Sequence, residues 1–418
     1  MSTRSQIDMQ TKTMSNRSLP VPAWIILASL FTPLVGCDFR GDSAVTAPEP
    51  VSSRPVPPAR HAPFFQAGFA YSRVGGNYDS DVSSLELGKM RAAGGNTVQF
   101  LTFAYVNRLN APEIGMEPER SDRVLRGGIS RAKAAGLRAM VKLQMWGPGF
   151  QDGKFSADIG MTNAADWRAF MANYRLYVLR YARLAAETNT DILCIGTEMA
   201  QVSQAAVITG DWRALAEEVR SVYSGPITYA AHHSEVEGIP FWDSLDYIGV
   251  DGYYPIARLS AALESLERLS VRWNRPVIFT EAGFASSSHA LMEPWRPGPY
   301  EAPPDSVRLD LQSEGWQTLL TELWRRDFIW GIYAWKWHPN LTWGGATNAD
   351  HTPQGKPALD VIRRFYRKLP ARAAPGRGDR LEWRLVKSAP NHLLVPPNQV
   401  IKPRRGGAAK PRAQALGS

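Results

Sequence analysis

Ile192-Leu193-Cys194-Ile195-Gly196-Thr197-Glu198-Met199 is an apolar, β-type run that ends in a carboxylate. The arrangement returns 83 positions later in Val277-Ile278-Phe279-Thr280-Glu281-Ala282-Gly283-Phe284. A carboxylate at the carboxyl end of a buried strand is costly unless the strand ends at an opening. Outward from these two runs (192–199 and 277–284), similar short apolar stretches occur at 65–71, 97–105, 138–145, 227–232, 247–253 and 331–337. Segments of helical period separate them, at 82–93, 122–135, 165–187, 212–223, 259–273 and 306–326, with a last one at 357–366. The connection 235–245 is short and only weakly helical.

Eight strands alternating with helices over about 300 residues predict an α/β fold of the (β/α)8 TIM-barrel type, as a single catalytic domain. A doubly wound sheet is the main competitor, but no Gly-x-Gly-x-x-Gly loop follows the first strand. Gly75-Gly76 lacks that spacing and reads as a turn. In a barrel the polar residues that close each strand line the site. Glu198 then closes the fourth strand and Glu281 the seventh. Three βα units of roughly 30 residues predict a separation near 90, and the observed 83 agrees.

Two carboxylates facing each other across a barrel mouth are what glycosidic bond cleavage uses. Each glutamate, taken alone, is equally well explained as a helix cap or an Arg partner. Aromatic residues near the same strand ends strengthen the catalytic reading: Trp146, Tyr253, Tyr254, Trp335 and Trp337. Flat rings stack on the C–H faces of pyranose sugars, although any single Trp is more often core. Lys142 on the third strand is either a sugar contact or a structural partner for a carboxylate. His232 and His233 end the fifth strand, and His233 is a candidate sugar contact. No third ligand with fitting spacing accompanies the pair, so neither metal nor cofactor is expected.

The chain's formal charge of +9 invites a nucleic-acid reading. From position 368 onward, however, 11 Lys and Arg stand against only Asp379 and Glu382, so the tail holds the whole surplus. The remainder is near neutral, a basic groove in the folded part is unsupported, and no nucleic-acid partner is expected. Residues 369–418 are expected to be a basic, mostly disordered tail, with a small edge element at 381–386. Cys194 lies in an apolar run and reads as a small buried hydrophobe, and Cys37, in an unlike context, does not suggest a disulfide with it. The stretch 21–35 has the length of a signal-peptide core rather than a membrane span. Leu34-Val35-Gly36-Cys37 resembles a bacterial lipobox. That resemblance implies a signal peptide over 1–36 and lipid attachment at Cys37. A Pro-, Ala- and Ser-rich flexible tether over 37–63 and a catalytic domain over 64–368 would follow. The mature protein would be exported, anchored to a membrane at the periplasmic or cell-surface side, and monomeric.

Five blocks then carry a closer resemblance: Cys194-Ile195-Gly196-Thr197-Glu198-Met199; Phe241-Trp242-Asp243-Ser244-Leu245-Asp246-Tyr247-Ile248-Gly249-Val250-Asp251-Gly252-Tyr253; Thr280-Glu281-Ala282-Gly283; Trp335-Lys336-Trp337; and Gly355-Lys356-Pro357-Ala358. In order and spacing, over about 65–366, they resemble glycoside hydrolase family 113. The resemblance implies a retaining β-glycosidase acting on β-linked polysaccharide or oligosaccharide, of the β-1,4-mannan type. It implies Glu198 as acid/base and Glu281 as nucleophile. Tyr253 would be the hydroxyl on the nucleophile, and Trp335 the platform beneath the sugar. Two departures touch the sugar site. Thr197 stands where the clan usually has Asn, and Leu143-Gln144 follows Lys142 where the family has Pro-His. These departures motivate an alternative, a catalytically silent carbohydrate-binding lipoprotein.

Overall fold

The computed structural model describes residues 64–72, 77–150, 153–340, 342–370, 384–386 and 393–395. Eight strands carry the barrel: β1 Gln66–Tyr71, β2 Thr97–Tyr105, β3 Arg138–Trp146, β4 Ile192–Thr197, β5 Ile227–His232, β6 Ile248–Asp251, β7 Val277–Ala282 and β8 Ile329–Trp337. Neighbours in sequence are neighbours in the sheet, and β8 pairs in parallel with β1 to close it. The helices are α1 Asp81–Ala92, α2 Pro118–Ala134, α3 Ala164–Glu187, α4 Ala200–Gln204, α5 Thr209–Val222, α6 Leu259–Trp273, α7 Leu309–Trp324 and α8 Pro357–Tyr366. The α/β TIM barrel expected from the strand–helix alternation is therefore the observed fold.

Local chemistry explains the helix starts. The Ser80 side chain accepts from the Ser83 N–H ahead of α1, and Asn163 accepts from the Ala165 and Asp166 N–H groups ahead of α3. Pro357 occupies the first turn of α8, where its missing N–H costs nothing. Between β5 and β6 the weakly helical segment forms only two 3-10 turns, Val236–Gly238 and Trp242–Ser244.

The differences from expectation fall at strand ends. β4 stops at Thr197, two residues before the end of its apolar run, because Glu198 turns into the left-handed region at φ 49°. β6 is confined to Ile248–Asp251. α7 begins at Leu309 because Pro304–Ser306 forms a separate turn. Five residues of helix, α4, follow β4 where the apolar pattern gave no helical signal. Near the expected edge element, β9 Arg384–Val386 pairs antiparallel with β10 Leu393–Val395. The expected signal peptide, Cys37 and the tether lie outside the described residues, as does most of the tail. Among the described residues no helix is long and apolar enough to cross a membrane.

Side chains alternate across each strand, so one set fills the barrel and the other meets the helices. Met140, Ile192, Cys194, Ala230, Tyr247, Ile278, Trp330 and Tyr333 form one buried cluster. Lys142 stands one strand period above Met140 on the same face of β3. Cys194 is fully buried, and burial pushes its thiol up to about 12, so it behaves as the small hydrophobe its setting suggested.

Candidate active site

Glu281, near the end of β7, is tightly enclosed. Its Oε1 accepts from Lys142 Nζ at 2.6 Å, and its Oε2 accepts from the Tyr253 hydroxyl at 2.8 Å. Gln144 Nε2 stands 3.4 Å from the same Oε1. Lys142 also spans both oxygens of Asp251, each at 2.9 Å, and Thr280 donates to Asp251 Oδ1 at 2.7 Å. One ammonium thus joins two carboxylates inside the barrel, and it is wholly removed from solvent. Burial disfavours the Lys142 charge, but Asp251 and Glu281 outweigh it and the amine stays protonated.

Glu281 feels opposing pulls. Burial and the Asp251 charge raise its carboxyl above the usual range, while the Lys142 charge and the hydrogen bonds from Lys142 and Tyr253 draw it back. Burial raises the Tyr253 phenol well above its ordinary value, so it remains a donor. Gly283 allows the next layer to close. A Cβ there would lie 2.5 Å from the Trp335 carbonyl oxygen.

Glu198 is placed differently. It is half-buried on the turn after β4, and among the described residues no hydrogen bond or ion pair reaches its carboxylate. Burial raises its carboxyl well above the ordinary value, Asp251 and Glu281 push it further, and only Lys142 opposes. Glu281 has a cation and a phenol in direct contact and Glu198 has neither, so Glu281 ionises first. The pair is set for one charged and one protonated carboxyl over the same pH range.

The other sequence candidates divide. Trp335 at the end of β8 is half-buried, with Lys336 Nζ 5.7 Å from its ring centre, and Trp146 at the end of β3 is half-buried against Tyr105. Both leave ring surface open to a ligand. Trp337 is core: it is 1% exposed, packs edge-on against Phe69, and donates its indole N–H to Glu86 Oε2 at 2.6 Å. Thr197 gives its hydroxyl proton to the Leu143 carbonyl at 2.8 Å, which leaves it able to accept but not to donate. Of the two readings of Lys142, the geometry matches the structural one, because its contacts are the two carboxylates and it has no exposed surface.

His233 is half-buried, with its ring centre 5.5 Å from that of Tyr254 and 6.0 Å from that of the exposed Trp295. Burial lowers its imidazole to about 4, so it is neutral. His232 bonds Ser234 Oγ at 2.7 Å. Among the described residues no group of three or more His, Cys, Asp and Glu side chains is arranged to hold a metal.

Asp251 escaped the reading of the sequence, although it ends the run Ile248-Gly249-Val250-Asp251 just as the two glutamates end theirs. That strand-end position was the available signal. A second polar group lies behind Trp335. Burial alone would raise the Asp350 carboxyl, but Lys336, His338 and His351 hold it well below its usual range. Lys356 donates to Ser286 Oγ and to the Asp350 carbonyl, tying the loop after β8 to the loop after β7.

A comparison with curated protein sequences returns no match. Three solved structures are similar to this chain over nearly their whole length. One is a family 113 β-mannanase from Alicyclobacillus acidocaldarius, in complex with ManMIm; it is 24% identical at a TM-score of 0.66, over 72% of this chain and 97% of that one. Two others described as family 113 β-1,4-mannanases are 25% and 26% identical, at TM-scores of 0.65 and 0.66, each over 73% of this chain and 99% of its own. A Ruminococcus gnavus β-glucuronidase, 13% identical at a TM-score of 0.51 over 73% of this chain and 50% of its own, shares the fold. The sequence matches the profile of Glycoside Hydrolase Family 113 over residues 67–356, and this chain is a glycoside hydrolase belonging to that family.

Proposed function

We propose that this chain is a retaining β-glycosidase that cleaves β-linked polysaccharide of the β-1,4-mannan type, with Glu281 as nucleophile and Glu198 as acid/base. The observation that carries the reading is the unequal treatment of two carboxyls at one barrel mouth. Glu281 receives a lysine and a phenol, which favour its anion, and Glu198 receives only burial and negative neighbours, which favour its proton. The names of the family 113 structures support mannan as substrate.

In the first step Glu281 Oε attacks the anomeric carbon, the glycosidic C–O bond breaks, and Glu198 gives its proton to the leaving oxygen. In the second, water attacks the anomeric carbon, its proton passes to Glu198, and the ester bond to Glu281 breaks. Two inversions retain the configuration. Trp335 and Trp146 supply ring faces for the sugars, His233 supplies a neutral imidazole near the mouth, and Thr197 supplies an acceptor oxygen.

Proton NMR of a mannooligosaccharide digest tests this directly. The β-anomer of the new reducing end appears before mutarotation. An α-anomer appearing first refutes retention, and no cleavage of any β-mannan or β-glucan by folded protein refutes the assignment. The lipobox resemblance at Cys37 supports a lipid-anchored enzyme on a membrane surface outside the cytoplasm. Incorporation of labelled palmitate that is lost in Cys37→Ser tests that placement.

A further inference from the structure

Among the described residues no hydrogen bond reaches the Glu198 carboxylate, so the backbone that carries it does the aiming. That backbone is strained, since φ 49° is a left-handed conformation that a residue other than glycine rarely adopts. Two N–H groups hold it there. Glu198 donates to the Ala230 carbonyl at 2.8 Å, and Met199 donates to the Tyr229 hydroxyl oxygen at 2.7 Å. Tyr229 is fully buried and passes its own proton to Glu235 Oε1 at 3.3 Å. The same Oε1 accepts from the His232 N–H at 2.9 Å, and Oε2 accepts from Ser203 Oγ at 3.1 Å. Ser203 lies on α4, and its own N–H returns to the Met199 carbonyl at 2.8 Å. The Glu235 carboxylate therefore joins three pieces: β5, the turn bearing Glu198, and α4.

Glu235 is 2% exposed, and among the described residues no cation pairs with it. A carboxylate buried without a counter-ion is expensive, and an amide would accept the two bonds on Oε1 more cheaply. We propose that Glu235, acting through Tyr229, is a positioning residue that fixes the strained turn and so aims Glu198 at the leaving oxygen. The inference rests on Glu198 being the acid/base. The charge adds a second effect. Asp251, Glu281 and Glu235 surround Glu198 with negative charge against Lys142 alone, and each favours its proton. Burial raises Glu235 itself to about 7, while the His232, Ser203 and Tyr229 bonds pull it down and Asp251 pushes it up, so it becomes charged as the pH passes neutrality. The imidazole of His232 is kept neutral there by burial.

Leaving-group dependence separates aiming from folding, because dinitrophenolate departs without a proton and an alcohol does not. With Tyr229→Phe, kcat/KM on mannohexaose falls by about tenfold or more, whereas kcat/KM on dinitrophenyl β-mannobioside stays within about twofold. With Glu235→Gln, which keeps an acceptor for the bonds from Tyr229 and His232, the alkaline limb of kcat moves to lower pH. Equal losses on the two substrates, or no loss on either, overturn the inference, as does an unmoved alkaline limb in Glu235→Gln. Glu198→Ala serves as the reference. If it shows the leaving-group split and Tyr229→Phe does not, the positioning role alone is refuted. If Glu198→Ala shows none, the acid/base reading fails and takes the positioning role with it.

Discussion

The ends of β4 and β7 lie at the same end of the barrel and carry the same side chain, yet they are built by opposite means. At β7 the carboxylate itself is gripped: Lys142 and Tyr253 touch one oxygen each, and Asp251 balances the lysine. At β4 no hydrogen bond from the described residues reaches the carboxylate, and the peptide backbone is gripped instead, through Met199, Tyr229 and Glu235. The difference fits the two tasks proposed for them. A nucleophile must stay ionised and in place, so contact with a cation serves it. A group that gives and takes a proton would be spoiled by the same contact.

The largest effect that would break the comparison is at Glu281. Glu281→Gln keeps the shape and removes the proposed nucleophile, and kcat on mannan should fall roughly 10^4- to 10^6-fold while circular dichroism is unchanged. Glu198→Ala should cost about 10^2- to 10^4-fold on mannan. Added azide should restore turnover of a dinitrophenyl mannoside, yielding the β-glycosyl azide. An α-azide, or no rescue, would show that the free carboxylate at β4 is not the acid/base.

Lys142→Met tests the grip. It leaves Asp251 buried and unpaired, and chemical denaturation should show a loss of about 3–5 kcal/mol. Lys142 holds Glu281 down, so its removal raises the nucleophile's titration, and the acid limb of kcat/KM should move to higher pH in whatever protein folds. The smallest of the four effects is expected for Tyr253→Phe. One hydrogen bond to a charged group is lost, worth about 1.5–3 kcal/mol in kcat/KM, and the acid limb shifts in the same upward direction.

Much of the frame was legible because barrel strands announce themselves as short apolar runs. Thr97–Tyr105, Ile227–His232 and Pro357–Tyr366 fall where the pattern places them. Strand ends were less legible. The run through Met199 looks like strand throughout, and only the left-handed φ of Glu198, which no residue type there signals, cuts it at Thr197. Position in three dimensions was the other gap. Nothing in the spacing of Lys142 and Asp251, 109 residues apart, shows that they meet. Trp337 sits two residues beyond Trp335 in the same motif, where regular alternation would put both rings on one face, but the pairing of β8 with β1 slips by one residue between Ala334 and Trp337, and the Trp337 ring turns inward to Glu86.

The placement of Asp251 and Glu281 around Lys142 has a consequence for timing. Before attack the three groups carry one net negative charge, and that charge helps Glu198 keep its proton. In the proposed mechanism Glu281 becomes a neutral ester, the lysine and Asp251 then cancel, and the field on Glu198 weakens. Its acidity should rise in that interval, when it has lost its proton and must act as a base. The same carboxyl is thereby a weaker acid before attack and a stronger one while the ester stands. The clock for that switch is the covalent bond on its partner.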